Sequence, residues 1–163
     1  TGEDSATIGA TNRLEVYSKV LTSGDITAGS VSITYGGAQK ASGGIFAVRN
    51  ATAVTAIVDA NTTTAAAKPV PSITVAASTK AMYLTAASER RTDPNQSATH
   101  SRLGVDVFTA SAPLASGGTA LFIAYDAAIK AAATTMSGET WTLPVTPTTA
   151  NSFTCAVLCT MAA

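Results

Sequence analysis

The chain has 163 residues, ten Lys and Arg against ten Asp and Glu, and only 12% charged residues, where an ordinary globular protein carries about 25%. This neutrality offers no electrostatic hold on nucleic acid or acidic membranes, and no apolar run approaches the roughly 18 residues of a spanning helix. One domain with a sizeable core fits the length, and a surface left to Thr, Ser, Ala and Gly suits packing against copies of itself better than life as a free monomer, although a neutral secreted domain has the same composition.

The chain begins with Thr1 rather than Met, which marks a processed chain or a portion of a longer one, and no signal peptide is visible. Residues 1–12 are small and polar and read as an N-terminal arm whose order would require a partner; residues 13–163 read as a single domain. From Arg13 to Leu21 the apolar Leu14, Val16 and Val20 alternate with Glu15, Tyr17 and Lys19, the period of a half-buried strand. Ser23-Gly24-Asp25 is read as a turn. Val31, Ile33 and Tyr35 predict the next strand, and Gly36-Gly37 and Gly43-Gly44 bracket a loop before a strand at Ile45 to Arg49, giving a three-stranded meander.

Ala53 to Val58 and the low-complexity stretch after it read as a loop or a loosely held edge strand, ended by Pro69 and Pro71, since proline lacks the donor that a central strand needs. Ser72 to Ala76 and Lys80 to Ala86 flank Ser78-Thr79 as a hairpin-like unit. Glu89 to Arg102 is the longest polar stretch, and Asp93-Pro94 breaks any strand within it. Leu103, Val105 and Val107 return to period two. Asp126 to Met136 is Ala-rich and competes as a helix, but a strand end followed by a loop is favoured.

The stretch from Thr119 to Ala162 repeats Arg13 to Asn50 in outline. Leu14–Tyr17 answers Phe122–Tyr125, Val31–Ile33 answers Trp141–Leu143, and Ile45–Val48 answers Phe153–Ala156. About ten short strands at roughly ten-residue spacing, with this weak internal duplication, predict an all-β, antiparallel β-sandwich of jelly-roll or immunoglobulin-like topology. The second copy is preceded by the hairpin Val70 to Ala87 and the first only by the arm. The first half is therefore expected to leave a sheet edge for a neighbouring chain to cover.

Cys155 and Cys159 are four apart in a strand-like run, hence on one face but about 13 Å apart at strand rise, too far for a disulfide. Free buried thiols are expected, as in a protein made in a reducing cytosol. Catalytic, cofactor and metal residues are predicted to be none. His100 is the single histidine, near Asp93 and Ser97, but no nucleophile-elbow sequence accompanies it, and its ordinary reading is a solvated loop histidine. One His and two separated Cys do not make a zinc spacing, the isolated carboxylates do not make a calcium loop or a glycosidase pair, and the paired glycines do not make a phosphate loop.

Glu89, Arg90, Arg91, Asp93, His100 and Arg102 hold the densest cluster of charge. They form the candidate interaction loop, its alternative being a solvated loop that keeps the domain soluble. Trp141 reads as a core anchor, with a sugar-stacking platform as the competing role. Asn50, Asn61 and Asn95 head N-glycosylation sequons, which matter only on a glycosylating secretory route.

In order, RLEVYSKVLTSGD, GSVSIT, GGIFAVRNAT, VPSITVAASTKAMYLTAASERR and TLPVTPTTANSFTCAVLCTMA resemble the β-sandwich domains of tailed-phage virion surface proteins, which include capsid decoration (cement) proteins and fibre-like head or tail proteins. The resemblance covers nearly the whole chain as a sequence style. It implies a structural, non-enzymatic virion protein, assembled in the host cytoplasm, that binds the major capsid protein or other virion proteins, often as a homo-oligomer, without nucleic acid, membrane or cofactor. The competing expectation is an extracellular adhesin, filament or carbohydrate-binding module.

Overall fold

The computed structural model describes residues 2–8, 12–34, 41–63, 65–91, 97–110, 118–143 and 152–162, with Arg91 and 105–110 described by their backbone alone. The fold is all-β and antiparallel. Its strands are β1 (Gly2–Ile8), β2 (Asn12–Tyr17), β3 (Ala53–Asn61), β4 (Ala67–Pro69), β5 (Ile73–Thr74), β6 (Thr79–Arg91), β7 (Thr99–His100), β8 (Val105–Ala110), β9 (Gly118–Lys130), β10 (Thr135–Met136), β11 (Thr140–Thr142) and β12 (Ser152–Ala162), with a short helix α1 (Ser23–Ala28) between β2 and β3.

The centre is a five-stranded sheet ordered β3-β12-β6-β9-β8. Its long middle strands β6 and β12 are buried on both faces over most of their length and β9 over its first half, as far as Ala124, which is why they read there as nearly continuous runs of apolar and small residues rather than as alternations. The edge strand β3 alternates exposed and half-buried residues from Ala53 to Ala60 and ends in the buried Asn61. Paired residues share a face, so the register through Leu158↔Tyr83 and Ala87↔Phe122 sorts the side chains into two sets.

One set, with Ala81, Tyr83, Phe122, Ala124, Ala156 and Leu158, meets Val70, Ile73, Val75, Met136, Trp141 and Leu143. These come from a covering layer built of the three-stranded sheet β4-β11-β7, the two-stranded pair β10-β5 and their connections. The other set, Ala86, Leu121, Ile123 and Cys155, is packed against Leu14, Val16 and Phe46 from the N-terminal third.

Several expectations are corrected here. Residues 2–8, read as an arm, form β1, and the partner that orders them is β2 of the same chain. The Asp4 carboxylate of that hairpin accepts the Val58 backbone N–H at 2.7 Å, so the hairpin, not a neighbouring chain, lies against the β3 edge. Residues 31–34 and 41–48 form no strand, and Ile33 and Ile45 point to solvent. The duplication therefore stops at sequence: β2 belongs to a two-stranded hairpin, its supposed counterpart in β9 to the middle of the large sheet. An apolar alternation makes a strand only where another backbone edge pairs with it, and among the described residues 31–34 and 41–48 have none.

Ser23-Gly24-Asp25 opens a helix instead of a turn. Thr22 caps it by accepting the Asp25 N–H, Asp25 accepts the Thr22 N–H in return, and Gly29 closes it at φ 64°, a reciprocal capping box with a left-handed glycine stop. The Ser78 turn exists, with φ 59°, but β5 pairs with β10 and not with β6. Strand β6 runs on through Arg91, and the expected break at Asp93-Pro94 lies outside the described residues. Of the two readings of this region, loop or loosely held edge strand, Ala53–Asn61 takes the strand as β3, at the sheet edge but held by a nine-pair ladder with β12; as expected, β9 ends at Lys130 with a loop before β10, and both cysteines are free and buried.

Candidate functional site

The predicted interaction loop does not exist as one surface. Glu89 and Arg90 stand near the end of β6, Glu89 buried and Arg90 exposed on the opposite face. Arg91 pairs by backbone with Gly118, and Asp93 lies outside the described residues. His100, in β7, and Arg102, just after it, pack instead beside Tyr83 of β6 and its partner Glu139. Six residues of strand separate Tyr83 from Glu89, about 20 Å. Two polar clusters result.

The first is built around Glu139. Tyr83 donates its hydroxyl to Glu139 Oε2 at 2.8 Å, and Arg102 donates Nε to Glu139 Oε1 at 2.7 Å. Arg102 also pairs with Asp126 at 2.8 Å, which Lys130 holds from the other side. His100 is buried in β7 rather than solvated, its ring edge-on to Trp141 at 5.1 Å. Its Nδ1 accepts the backbone N–H groups of Arg102 and Leu103, at 3.2 and 3.1 Å, so the proton of the neutral ring belongs on Nε2. That atom faces Glu139 Oε2 at 3.4 Å, a contact rather than a well-made hydrogen bond.

Protonating His100 would set an N–H against two N–H donors. Burial pushes its pKa below the usual histidine range, against the opposing pull of Glu139. Burial, reinforced by Glu139, pushes the Tyr83 phenol above its range, so Tyr83 remains a neutral donor. The groups that could carry chemistry are thus held as structural donors and acceptors. Beside them lies a surface depression of about 500 Å³ lined by Arg102, Lys130, Met136 and Glu139, and both of its cations are already engaged by carboxylates.

The second cluster is interior. Lys68, the middle residue of β4, is fully buried, with Glu89, Asn61, Ser152 and Thr154 buried as well. Lys68 Nζ donates to the Thr63 carbonyl at 2.6 Å, and Asn61 Nδ2 donates to Thr154 Oγ1 at 3.1 Å. Thr154 in turn donates to the Pro69 carbonyl at 2.7 Å. Burial lowers the Lys68 pKa, while the Glu89 charge acts in the opposite direction. The Glu89 charge thus offsets part of the cost of desolvating the amine.

Trp141 is the core anchor. It is fully buried and donates Nε1 to Thr85 Oγ1 at 3.0 Å, leaving no ring face for a sugar. Of the sequons, Asn61 is buried and bonded, Asn50 is exposed in a turn at φ 61°, and Asn95 lies outside the described residues. Among the described residues no three His, Cys, Asp or Glu come together as a metal site. No family model, curated protein or solved structure matches the chain.

Proposed function

We propose that the protein is a structural subunit acting through protein–protein contacts, a decoration or cement protein on the head lattice of a tailed phage, with a jelly-roll or immunoglobulin-like β-sandwich as its scaffold. The observation that carries the reading is the outer side of the N-terminal third. Val20 is 88% exposed, Ile26 70% and Ile45 71%, in a chain of zero net charge. Most of the large apolar side chains that the described residues expose lie in this third, Tyr17, Leu21 and Ile33 among them, and exposed apolar surface favours contact with protein. The polar clusters favour the same reading, since their members are tied to one another. The capsid lattice as partner follows from the sequence resemblance.

An extracellular adhesin or carbohydrate-binding module is the other reading. It loses the Trp141 platform and the Asn61 acceptor, and keeps Asn50 as an accessible sequon. Immunogold electron microscopy of particles released by the host tests the choice. Labels distributed symmetrically over heads are the expected result; chain found only in the medium or on the cell surface overturns it.

A further inference from the structure

The hub around Glu139 contains one polar atom that the folded chain leaves unsatisfied. His100 Nε2 is buried and, among the described residues, has no hydrogen-bond partner, although it faces Glu139 Oε2 at 3.4 Å. The same carboxylate is held by Arg102, through Nε at 2.7 Å and Nη2 at 2.6 Å, and by the Tyr83 hydroxyl. Two basic side chains thus stand against one carboxylate, and at neutral pH only Arg102 is charged. At the other ring nitrogen, Nδ1 accepts the backbone N–H groups of Arg102 and Leu103. The histidine therefore fastens the very turn whose arginine occupies the carboxylate.

We propose that His100 is an acid-sensitive latch, in which protonation transfers the Glu139 carboxylate from Arg102 to His100 and releases residues 101–104 into solvent. The proton enters at Nδ1, because Nε2 already carries the hydrogen of the neutral ring. An N–H then opposes two N–H donors, and one side must move. The ring is walled in, its side chain without exposed surface and edge-on to Trp141, whereas Ser101, Arg102 and Gly104 are exposed and Leu103 is half-buried. The turn moves.

Its departure draws Arg102 off Glu139 and off Asp126, to which it donates at 2.8 Å. Neither carboxylate is left alone. Asp126 keeps Lys130, while Glu139 keeps the Tyr83 hydroxyl and gains a charged donor on His100 Nε2, a stronger hydrogen bond than the neutral ring can make. Each state satisfies a group that the other leaves open, as a two-state element requires. The groups facing the ring are Glu139 before β11, Trp141 in β11, Tyr83 from β6 and, through Arg102, Asp126 and Lys130 of β9. Tyr83 stays a neutral donor and Asp126 is held at about 2, so neither takes up a proton in the histidine range. Burial lowers the His100 pKa, Glu139 raises it and Arg102 lowers it, so the switch lies below about 6.5 and the release of Arg102 favours uptake of the proton.

Hydrogen exchange of the full-length protein, read by NMR with each rate corrected for its intrinsic pH dependence, tests the latch. From about pH 7.5 to about pH 5 the Arg102 and Leu103 amides should lose protection, by up to about tenfold per pH unit, while Leu84 and Leu158 in the large sheet keep theirs. His100→Asn, whose side-chain oxygen accepts amides but does not titrate, should hold the protection constant. Arg102→Gln should raise the pH at which the His100 ring protons titrate, because the competing cation is gone, and this readout stands even where His100→Asn fails to fold. Unchanged protection of the turn in the native protein overturns the proposal, as does an equal loss in His100→Asn, which would place the sensitivity in the carboxylates. Turn and sheet losing protection together also overturns it, making His100 a contributor to global stability alone, and so does a His100 titration that Arg102→Gln leaves in place.

Discussion

The two faces of the large sheet are built from the same strands but covered in different ways. The face that carries Tyr83, Phe122 and Leu158 is roofed by paired β-strands, and the contact includes a fully buried Trp141, buried hydrogen bonds from Trp141 to Thr85 and from Tyr83 to Glu139, and the Lys68 cluster. The opposite face, with Leu121, Ile123 and Cys155, is covered by a hairpin and by residues 41–48, which are not in strands. There the neighbours alternate with β9: Ser42 meets Thr119 at 3.1 Å, Gly44 approaches Ile123, and Phe46 stands edge-on to Tyr125 at 5.7 Å. Side-chain contacts without a backbone ladder can be released locally, and the lesson is that stability belongs to the first face and adaptability to the second.

The largest expected effect follows on the first face. Trp141→Ala removes a side chain packed against His100 and Phe122 and leaves Thr85 without its buried donor. A loss of about 3–5 kcal/mol is expected from such a truncation, read by urea denaturation followed by circular dichroism. A loss no larger than that of substitutions on the second face would break the comparison. His100 sharpens it by pH. Its folded pKa lies below the unfolded value, so the unfolded chain binds the proton first; the contribution is complete above about 6.5 and declines as pH falls toward the folded value. Denaturation midpoints should decrease below that pH in the native chain, and His100→Gln should flatten this dependence.

The first face was largely legible in the sequence and the second was not, for a physical reason. Strands buried against a partner layer announce themselves through apolar content, and β6, β9 and β12 were placed on that ground. Whether a short alternating stretch such as 31–33 or 45–48 becomes a strand depends on finding a free edge, which no local pattern encodes. The polar sites failed in another way. Sequence proximity gathered Glu89 with His100 and Arg102, although Glu89 lies near the end of β6 and the other two pack beside Tyr83, six residues earlier in that strand. Extending the alternation of Ala81, Tyr83, Thr85 and Ala87 by one more step would have put Glu89 inside. Lys68 had no comparable signal, because its three-residue strand is too short to show a period, and Glu139 joins Tyr83 and Arg102 only through tertiary packing.

On the second face, Cys155 is a reporter already in place. Burial pushes its thiol up to about 12, so alkylation requires the cover to open and the thiol to meet solvent. Leu14→Ala, in the half-buried hairpin contact, should cost about 1 kcal/mol and speed Cys155 labelling roughly fivefold while the urea midpoint of the sheet hardly moves. Equal changes in labelling and global unfolding would show that hairpin and sheet open as one unit. Gly44→Ala is a milder probe of the same cover. A Cβ there would come within 2.3 Å of Ile123 Cδ1, the far end of a side chain that can rotate away, so a cost below about 1 kcal/mol is expected, with labelling accelerated less than by Leu14→Ala.

The smallest effect concerns α1, which buries none of its residues. Asp25 is held at about 2 first by the hydrogen bond from Lys19 and then by the Thr22 backbone and hydroxyl. Because the folded pKa is depressed, the contribution of this carboxylate is complete above about 4 and disappears as pH falls through about 2. The helix should fray across that interval while the sheet persists, since nothing in the core leans on α1. Asp126, held at about 2 chiefly by Lys130, titrates in the same interval at the edge of the first face, so Asp25→Asn and Asp126→Asn must be compared. Amide resonances of residues 23–28 should respond to the first substitution and those around Arg102 and Glu139 to the second. If Asp25→Asn instead disturbed the Arg102 region, the N-terminal cover would be coupled to the well-packed face, and the division between the two faces would fail at its weakest point.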